Sequence, residues 1–230
     1  FLFFIIYTMP RYGRRYTATK SAYTRGYATY KKFANNSYNV ANKALTLANK
    51  VKRLINVEFK THDIANTFAV SSAGVINTLS FIDQGSDDNE RDGNKIRAKS
   101  FLFRAYGEHD SAGEPAQLIR VIIFRDNMQR GAVPAVTDVL ETANVLSPLN
   151  KDGDGRFTVL HDRMITVTSD KSQAFTKKYR AIDFHLNYTG TTGIAANMGP
   201  GNIYLLAVSN EPSANYPDLV FNFRLRYIDN

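Results

Sequence analysis

The sequence contains no cysteine among its 230 residues. Disulfide bridges and zinc sites built on thiolates are therefore excluded. Its opening apolar run, residues 1–7, is much shorter than the roughly 20 residues that a membrane-spanning helix needs. Basic residues follow this run, the reverse of a secretory signal. We interpret residues 1–8 as a non-native or upstream-translated segment ahead of an initiation site at Met9, and we predict no membrane partner.

Acidic residues are absent from the first 57 positions, and Glu58 is the first of the 21 in the chain. The same stretch carries eleven of the 29 lysines and arginines, which leaves 18 basic residues in residues 58–230. The net charge of +8 is therefore the sum of an arm at +11 and a body at −3. Such segregation is typical of a polyanion-binding segment attached to a near-neutral folded domain.

Residues 9–53 form this basic arm, whose first part has few aliphatic residues and many tyrosines between the charges. This first part, residues 9–36, buries too little apolar surface to offset its ordering entropy, so we expect it to be disordered in isolation. Cations that meet phosphates and rings that stack on unpaired bases favour single-strand nucleic-acid binding over an ordinary solvated tail. The predicted binding residues are Arg11, Arg14, Arg15, Lys20, Arg25, Lys31, Lys32, Lys43, Lys50, Lys52, Arg53, Tyr12, Tyr16, Tyr23, Tyr27 and Tyr30.

Helical spacing of apolar residues predicts a short amphipathic helix over residues 40–54, at the end of the arm. Its apolar stripe consists of Val40, Ala44, Leu47, Val51 and Leu54. Lys43, Lys50 and Arg53 fall elsewhere on the helix. Such a helix could lie on nucleic acid, on a membrane or on the surface of its own domain. The small, partly alanine face disfavours the membrane.

Beyond residue 54 the apolar pattern changes to the alternation that is typical of half-buried strands. The predicted strands are residues 55–60, 74–82, 95–106, 118–125, 157–168, 177–188, 202–209 and 219–228. All seven prolines lie outside them, as a sheet requires, and residues 134–146 could supply one short helix. The pattern indicates an antiparallel sandwich or barrel, and the strand count suits a jelly roll. We predict an all-β fold for residues 54–230: a single eight-stranded antiparallel jelly roll of two packed four-stranded sheets.

Catalytic signatures are missing from the sequence, which has no P-loop, no dinucleotide fingerprint and no glycine-flanked serine elbow. Among the four histidines, His185 would share a strand face with Asp183, and His161 adjoins Asp162. Two such residues do not make a metal site, and a polar strand face or a subunit contact explains each pair better. We therefore predict that the protein is not an enzyme and needs no cofactor.

Two acidic loops contain the candidates for a metal ion. Asp87 and Asp88 belong to one cluster, and Asp152 and Asp154 resemble the opening of a calcium loop. The later glutamate of a full EF-hand loop is absent. Tight-turn chemistry explains both loops, so we assign no metal, and calcium bound between subunits stays as an alternative.

Three stretches of the sequence resemble the coat proteins of small viruses in their order and spacing. Gln84-Gly85 is followed by Arg-x-Gly-x-x-Ile at residues 91–96, then by LIRVIIFRD at 118–126 and by SPLN and RFTVLHD within 147–162. This pattern resembles coat proteins of circular single-stranded DNA viruses that encode a replication initiator (circovirus-like viruses). It is also similar to coat proteins of satellite viruses of the tobacco necrosis type.

The resemblance implies a jelly-roll capsid protein that self-assembles into a small icosahedral T=1 shell of about sixty copies, with the arm inside on the genome. It implies a place in the virion, assembly in the host nucleus, and a host receptor or import factors as further partners. Single-stranded DNA is favoured over RNA as the cargo. The alternative is a cellular or satellite-virus single-stranded nucleic-acid-binding β-domain with an RNA cargo.

Overall fold

The computed structural model of the protein describes residues 32, 35–51, 58–129, 131–153, 155–212 and 214–229. The chain divides into two compact units, residues 1–56 and 57–230. In the first unit, residues 35–51 form helix α1, which begins before the predicted start at residue 40. The predicted end of this helix lies outside the described residues.

The second unit is a sandwich of two four-stranded antiparallel sheets. Sheet 1 contains, in order across the sheet, β1 (Lys60–Ala69), β8 (Asp218–Asp229), β3 (Lys95–Glu108) and β6 (Gln173–Asn187). Sheet 2 contains, in order, β2 (Val75–Thr78), β7 (Ile203–Ser209), β4 (Ala116–Asp126) and β5 (Phe157–Thr168). The remaining elements are α2 (Val136–Val139) and 3₁₀ turns at Lys151–Gly153 and Ala195–Asn197.

The connections between strands make this sandwich a jelly roll. The chain crosses from one sheet to the other after every strand except β4, which is followed in the same sheet by its antiparallel neighbour β5. The first strand pairs along its whole length with the last strand, from Lys60 opposite Tyr227 to Ala69 opposite Asp218. Eight strands in two four-stranded antiparallel sheets, within the described part of the chain, confirm the predicted fold class.

The first strand lies later in the chain than the alternation at residues 55–60 predicts. Glu58 and Phe59 precede β1, and residues 55–57 lie outside the described residues. Strand β1 is an edge strand that pairs with β8 in sheet 1. Most of its side chains are partly or fully exposed, so its sequence lacks the clear apolar alternation that marks a half-buried strand.

The main core lies between the two sheets, where alternate side chains of each strand meet. Strand β8 shows the pattern most clearly, since its inward-facing residues are at most 3% exposed. These residues are Leu219, Phe221, Phe223, Leu225 and Tyr227. The intervening Asn222, Arg224 and Arg226 are exposed on the opposite face, as the predicted alternation requires.

Sheet 2 is covered on both faces. Its strands β4 and β7 place alternate side chains in the core between the sheets and in a second apolar cluster on the outer face. That second cluster contains Ile122, Phe124, Val139, Leu140, Val145, Tyr204, Leu206 and Val208. Helix α2 and the residues after it therefore cover the outer face of sheet 2. Among the described residues, no comparable apolar cluster covers the outer face of sheet 1.

A buried arginine stabilises the long loop between β2 and β3. Arg91 is fully buried, and its guanidinium donates to the carbonyls of Ile82 at 3.1 Å, of Gly93 at 2.6 Å and of Gly190. Its terminal carbon lies 4.2 Å from the centre of the Tyr188 ring. Burial lowers the pKa of Arg91 below its usual value. Arg91 and Gly93, two positions of the coat-protein signature, thus link this loop to the end of β6.

Replacing Arg91 with lysine should lower the free energy of unfolding of the unassembled subunit by about 3 kcal/mol. A single ammonium cannot reach all three carbonyls, so buried acceptors lose their donors. Urea denaturation measures the change. The matched control is Arg163→Lys on β5, at an exposed position, where we expect a change within about 0.5 kcal/mol. A loss at Arg91→Lys no larger than in this control would contradict the role of Arg91.

Two partly buried histidines lack hydrogen bonds at one ring nitrogen. The Nε2 atoms of His62 and His161 are buried and have no hydrogen-bond partner among the described residues. Burial is the largest cause that lowers the pKa of each ring. Asp63 opposes this effect at His62, whereas Lys178 adds to it at His161. The fold therefore favours the neutral form of both rings.

We expect the subunit to lose stability as the pH falls from about 7.5 to about 5.5. Above the ordinary histidine pKa of about 6.5 both states are neutral, and below it the unfolded chain binds protons first, which favours unfolding. Urea midpoints measured across this range test the expectation. The double variant His62→Gln/His161→Gln should show a weaker pH dependence. An equally steep loss in that variant would assign the effect to other groups.

Candidate nucleic-acid and assembly surfaces

The structure describes three of the sixteen residues predicted to bind nucleic acid: Lys32, Lys43 and Lys50. All three are exposed. The others lie outside the described residues, and their role stays a prediction. They are Arg11, Arg14, Arg15, Lys20, Arg25, Lys31, Lys52, Arg53, Tyr12, Tyr16, Tyr23, Tyr27 and Tyr30.

Helix α1 has a polar face that carries two lysines. Lys43 and Lys50 are seven residues apart, close to two helical turns, so they project from the same side and about 10 Å apart along the axis. Asn39, Asn42 and Thr46 lie on the same face. We call these five residues the lysine face. Its two ammonium groups are far enough apart to meet separate phosphates, and its amide and hydroxyl groups add hydrogen-bonding capacity.

The predicted apolar stripe adjoins the lysine face of α1, and its Leu47 borders the lysine face. Val40, Ala44, Leu47 and Val51 are all exposed, and Leu54 lies outside the described residues. The stripe is roughly a quarter turn around the helix from the lysine face. The helix therefore offers an apolar surface and a cationic surface side by side. Within the described residues, no helix combines the length and the hydropathy of a membrane span.

Turn hydrogen bonds close the first acidic loop. The Glu90 amide donates to the carbonyl of Asp87 at 3.0 Å, and the Asp87 amide donates to the Glu90 carboxylate at 3.1 Å. The carbonyl of Asp88 accepts a bond of 3.4 Å from the Thr61 amide at the start of β1. These contacts fit the tight-turn interpretation of Asp87 and Asp88.

The second acidic loop is also organised by turn contacts. The Asp152 amide donates to the Asn150 side chain at 2.9 Å, while Asp154 lies outside the described residues. In the part of the chain that the structure describes, no three His, Asp or Glu side chains are placed to hold a metal ion together. Calcium bound between copies of the chain stays a hypothesis.

The acids next to the histidines pair with basic residues instead. Asp183 accepts bonds from Arg97 at 2.5 and 2.7 Å and from Lys99 at 2.7 Å. The hydrogen bonds from Arg97 and then Lys99 lower the pKa of Asp183 to about 2. Asp162 pairs with Arg120 in the same two-pronged way, at 2.7 and 3.0 Å. Both acids therefore neutralise basic residues on the polar strand faces on which they lie.

The outer face of sheet 1 carries cations and aromatic rings that the sequence interpretation missed. Arg104 on β3 lies opposite Lys177 on β6 and Asn222 on β8. In the adjacent row Tyr106 lies opposite Phe175, and Tyr179 occupies the row on the other side. Cross-strand partners share one face of an antiparallel sheet. We call this set the sheet-1 patch: Arg104, Tyr106, Phe175, Lys177, Tyr179 and Asn222.

Part of this patch has a sequence signal. Phe175, Lys177 and Tyr179 alternate along β6, as residues on one face of a strand must. The predicted strand began at Lys177 and so omitted Phe175. The pairing of Lys177 with Arg104 has no local signal, since it depends on how β3 and β6 lie beside each other in the sheet.

Comparison with known proteins gives a family match over residues 33–230, to the satellite tobacco necrosis virus coat protein. The capsid protein of Satellite tobacco necrosis virus 1 is 35% identical over 166 residues, which cover 70% of this chain and 83% of that protein. The coat protein of Satellite tobacco necrosis virus 2 is 36% identical over 163 residues, 66% of this chain and 78% of that protein.

The coat protein of Maize white line mosaic Satellite virus is 25% identical over 167 residues, 70% of this chain and 75% of that protein. The family match covers helix α1 and the whole sandwich, and two relatives exceed 30% identity over most of their length. The predicted resemblance to coat proteins of the tobacco necrosis satellite type is thereby confirmed. This chain belongs to the satellite tobacco necrosis virus coat protein family.

Proposed function

We propose that copies of this chain assemble into a closed icosahedral T=1 shell that encloses single-stranded nucleic acid through the basic arm. Family membership gives the coarser part of this function: a viral capsid protein, structural in role, which forms an oligomeric shell as part of the virion. The rest of the proposal is supported by the division of charge between the basic arm and the sandwich. Eleven basic residues and no acid occupy the first 57 positions, and a near-neutral sandwich follows.

This division suits both tasks of a capsid protein. A sandwich with 18 basic and 21 acidic residues can pack against copies of itself without strong repulsion. The arm, residues 9–53, supplies counter-charge to phosphates, and residues 54–230 form the shell. About sixty arms would offer roughly 660 positive charges, enough to neutralise several hundred phosphates. Small cations would balance the charge of a longer genome.

We infer that the cargo is single-stranded DNA. The arm tyrosines support a single-stranded cargo because unpaired bases expose their ring faces. The DNA assignment follows the resemblance of residues 84–96 to coat proteins of circular single-stranded DNA viruses, a pattern that these residues share with the tobacco necrosis satellite type. RNA is the competing cargo, favoured by the similarity to satellite virus coat proteins. Assembly in the host nucleus and contacts with import factors follow from the DNA proposal.

The purified full chain should form closed particles of roughly 1.5 MDa, about sixty copies of a 25.8 kDa subunit. Light scattering and electron microscopy measure the size and shape of the particles. Nucleic acid extracted from them should be digested by a single-strand-specific deoxyribonuclease and resist ribonuclease. A subunit that stays monomeric with nucleic acid present would contradict the shell. Ribonuclease-sensitive contents would overturn the DNA assignment alone.

Neutralising the lysine face should weaken binding to nucleic acid in a salt-dependent way. For Lys43→Gln/Lys50→Gln, the slope of log affinity against log salt should fall by about 1.4, since each lost phosphate contact on a single strand removes ~0.7. Fluorescence anisotropy with a labelled oligo(dT) measures the slope. The charge-retaining variant Lys43→Arg/Lys50→Arg serves as the control and should keep the wild-type value. Equal slopes in both variants would show that α1 does not contact phosphate.

A further inference from the structure

We propose that the sheet-1 patch is a second contact for single-stranded nucleic acid, made by the folded domain itself. In this contact Arg104 and Lys177 bind phosphates, and the rings of Phe175 and Tyr179 stack on unpaired bases. The inference rests on the proposed function, in which the chain encloses such a polymer. It adds a named site outside the arm.

Among the described residues, the two cations of the patch have no acidic partner. Arg104 and Lys177 are both exposed and lie directly opposite each other on adjacent strands, an arrangement in which like charges destabilise the sheet. Within the described residues neither forms a salt bridge. Arg224 and Arg97 on the same face do, each at 2.5 Å from a carboxylate. Two adjacent cations that no carboxylate neutralises favour an external anion, and phosphate supplies one.

The aromatic rings of the patch are exposed on both sides of the cation row. Phe175 is 75% exposed and Tyr179 is 64% exposed. The Tyr106 ring supports Phe175 from the neighbouring strand, with centroids 5.3 Å apart and planes at 43°. Outward-facing rings beside cations are the combination that binds single-stranded nucleic acid, since bases stack on the rings and phosphates pair with the cations.

A groove of about 580 Å³ runs across this face and gives a base somewhere to lie. The Arg104 and Lys177 row and the Tyr106 and Phe175 row line it. Ala65 on the edge strand β1 also lines it, and its small side chain leaves room between the rows. The volume is within the range of pockets that hold small organic molecules.

Charge complementarity selects nucleic acid over a second copy of the chain as the occupant. A second copy would have to bring an acidic and an apolar surface to the same groove together. Each nucleotide carries a phosphate and a flat ring, which match the cation row and the aromatic rows respectively. The outer face of sheet 2 offers no equivalent surface in its apolar cluster, because α2 and the following residues cover that cluster.

Photo-crosslinking of the full chain tests the site directly. The probe is an oligo(dT) of about 20 nucleotides that contains 4-thiothymidine, and peptide mass spectrometry locates the adducts. We expect adducts at Phe175 or Tyr179 in addition to those in the arm. Adducts confined to residues 9–53 would overturn this inference and leave the proposed function standing. A full chain that binds no oligo(dT) would contradict both.

Paired variants of the full chain separate the patch from other surfaces. Arg104→Gln/Lys177→Gln should reduce the salt slope by about 1.4, and Phe175→Ala/Tyr179→Ala should weaken oligo(dT) binding roughly fivefold or more at constant salt. The matched control Arg163→Gln/Lys171→Gln neutralises two exposed cations outside the patch and should change neither value. Circular dichroism checks that each variant is folded. Variants that bind oligo(dT) normally but no longer form particles would assign the patch to a contact between copies, against the inference.

Discussion

Packing between the two sheets is the constraint on which the rest of the structure depends. In sheet 1 the last strand, β8, lies between β1 and β3, so the two ends of the domain are joined by an antiparallel pairing along the whole of β1. Phe221 and Phe223 on β8 then meet Phe68, Phe101 and Phe103 from those two neighbours. The core therefore depends on contacts that are far apart in sequence, whose loop-closure entropy has to be offset before they contribute.

How much of this fold could be predicted from the sequence depends on burial. Strand β5 begins and ends at the predicted residues, and β8 alternates as predicted, because apolar residues mark one face of each. Strand β1 lies at an edge and buries little surface, so the bounds predicted for the first strand, residues 55–60, were wrong. The cation pair of the sheet-1 patch could not be predicted from the sequence, for another reason. Arg104 and Lys177 become neighbours only through the β3–β6 register, which no local pattern specifies.

The near-neutral charge of the sandwich conceals an uneven distribution. Its carboxylates are used for specific pairs: Asp126 is fully buried and binds Arg156 at 3.0 Å, and Asp63 binds Arg224 at 2.5 Å. Exposed pairs such as Asp63–Arg224 stabilise the fold by little, but their carboxylates neutralise the cations that they contact. On sheet 1, Arg104 and Lys177 are directly opposed cations that form no salt bridge within the described residues. The summed charge of the domain does not reveal such a pair, whereas the contacts of each charged side chain do.

The unequal covering of the two sheets gives the subunit two chemically different sides. Residues 136–150 cover Phe124 and Leu206 on the outer side of sheet 2, so β4 and β7 carry buried apolar residues on both faces. The outer face of sheet 1 has no such cover among the described residues and keeps polar, cationic and aromatic side chains instead. A shell one subunit thick needs this kind of difference, because one side of each subunit faces the cargo and the other faces the solvent. In our proposal the outer face of sheet 1 binds phosphates and bases, and we therefore assign it to the cargo side.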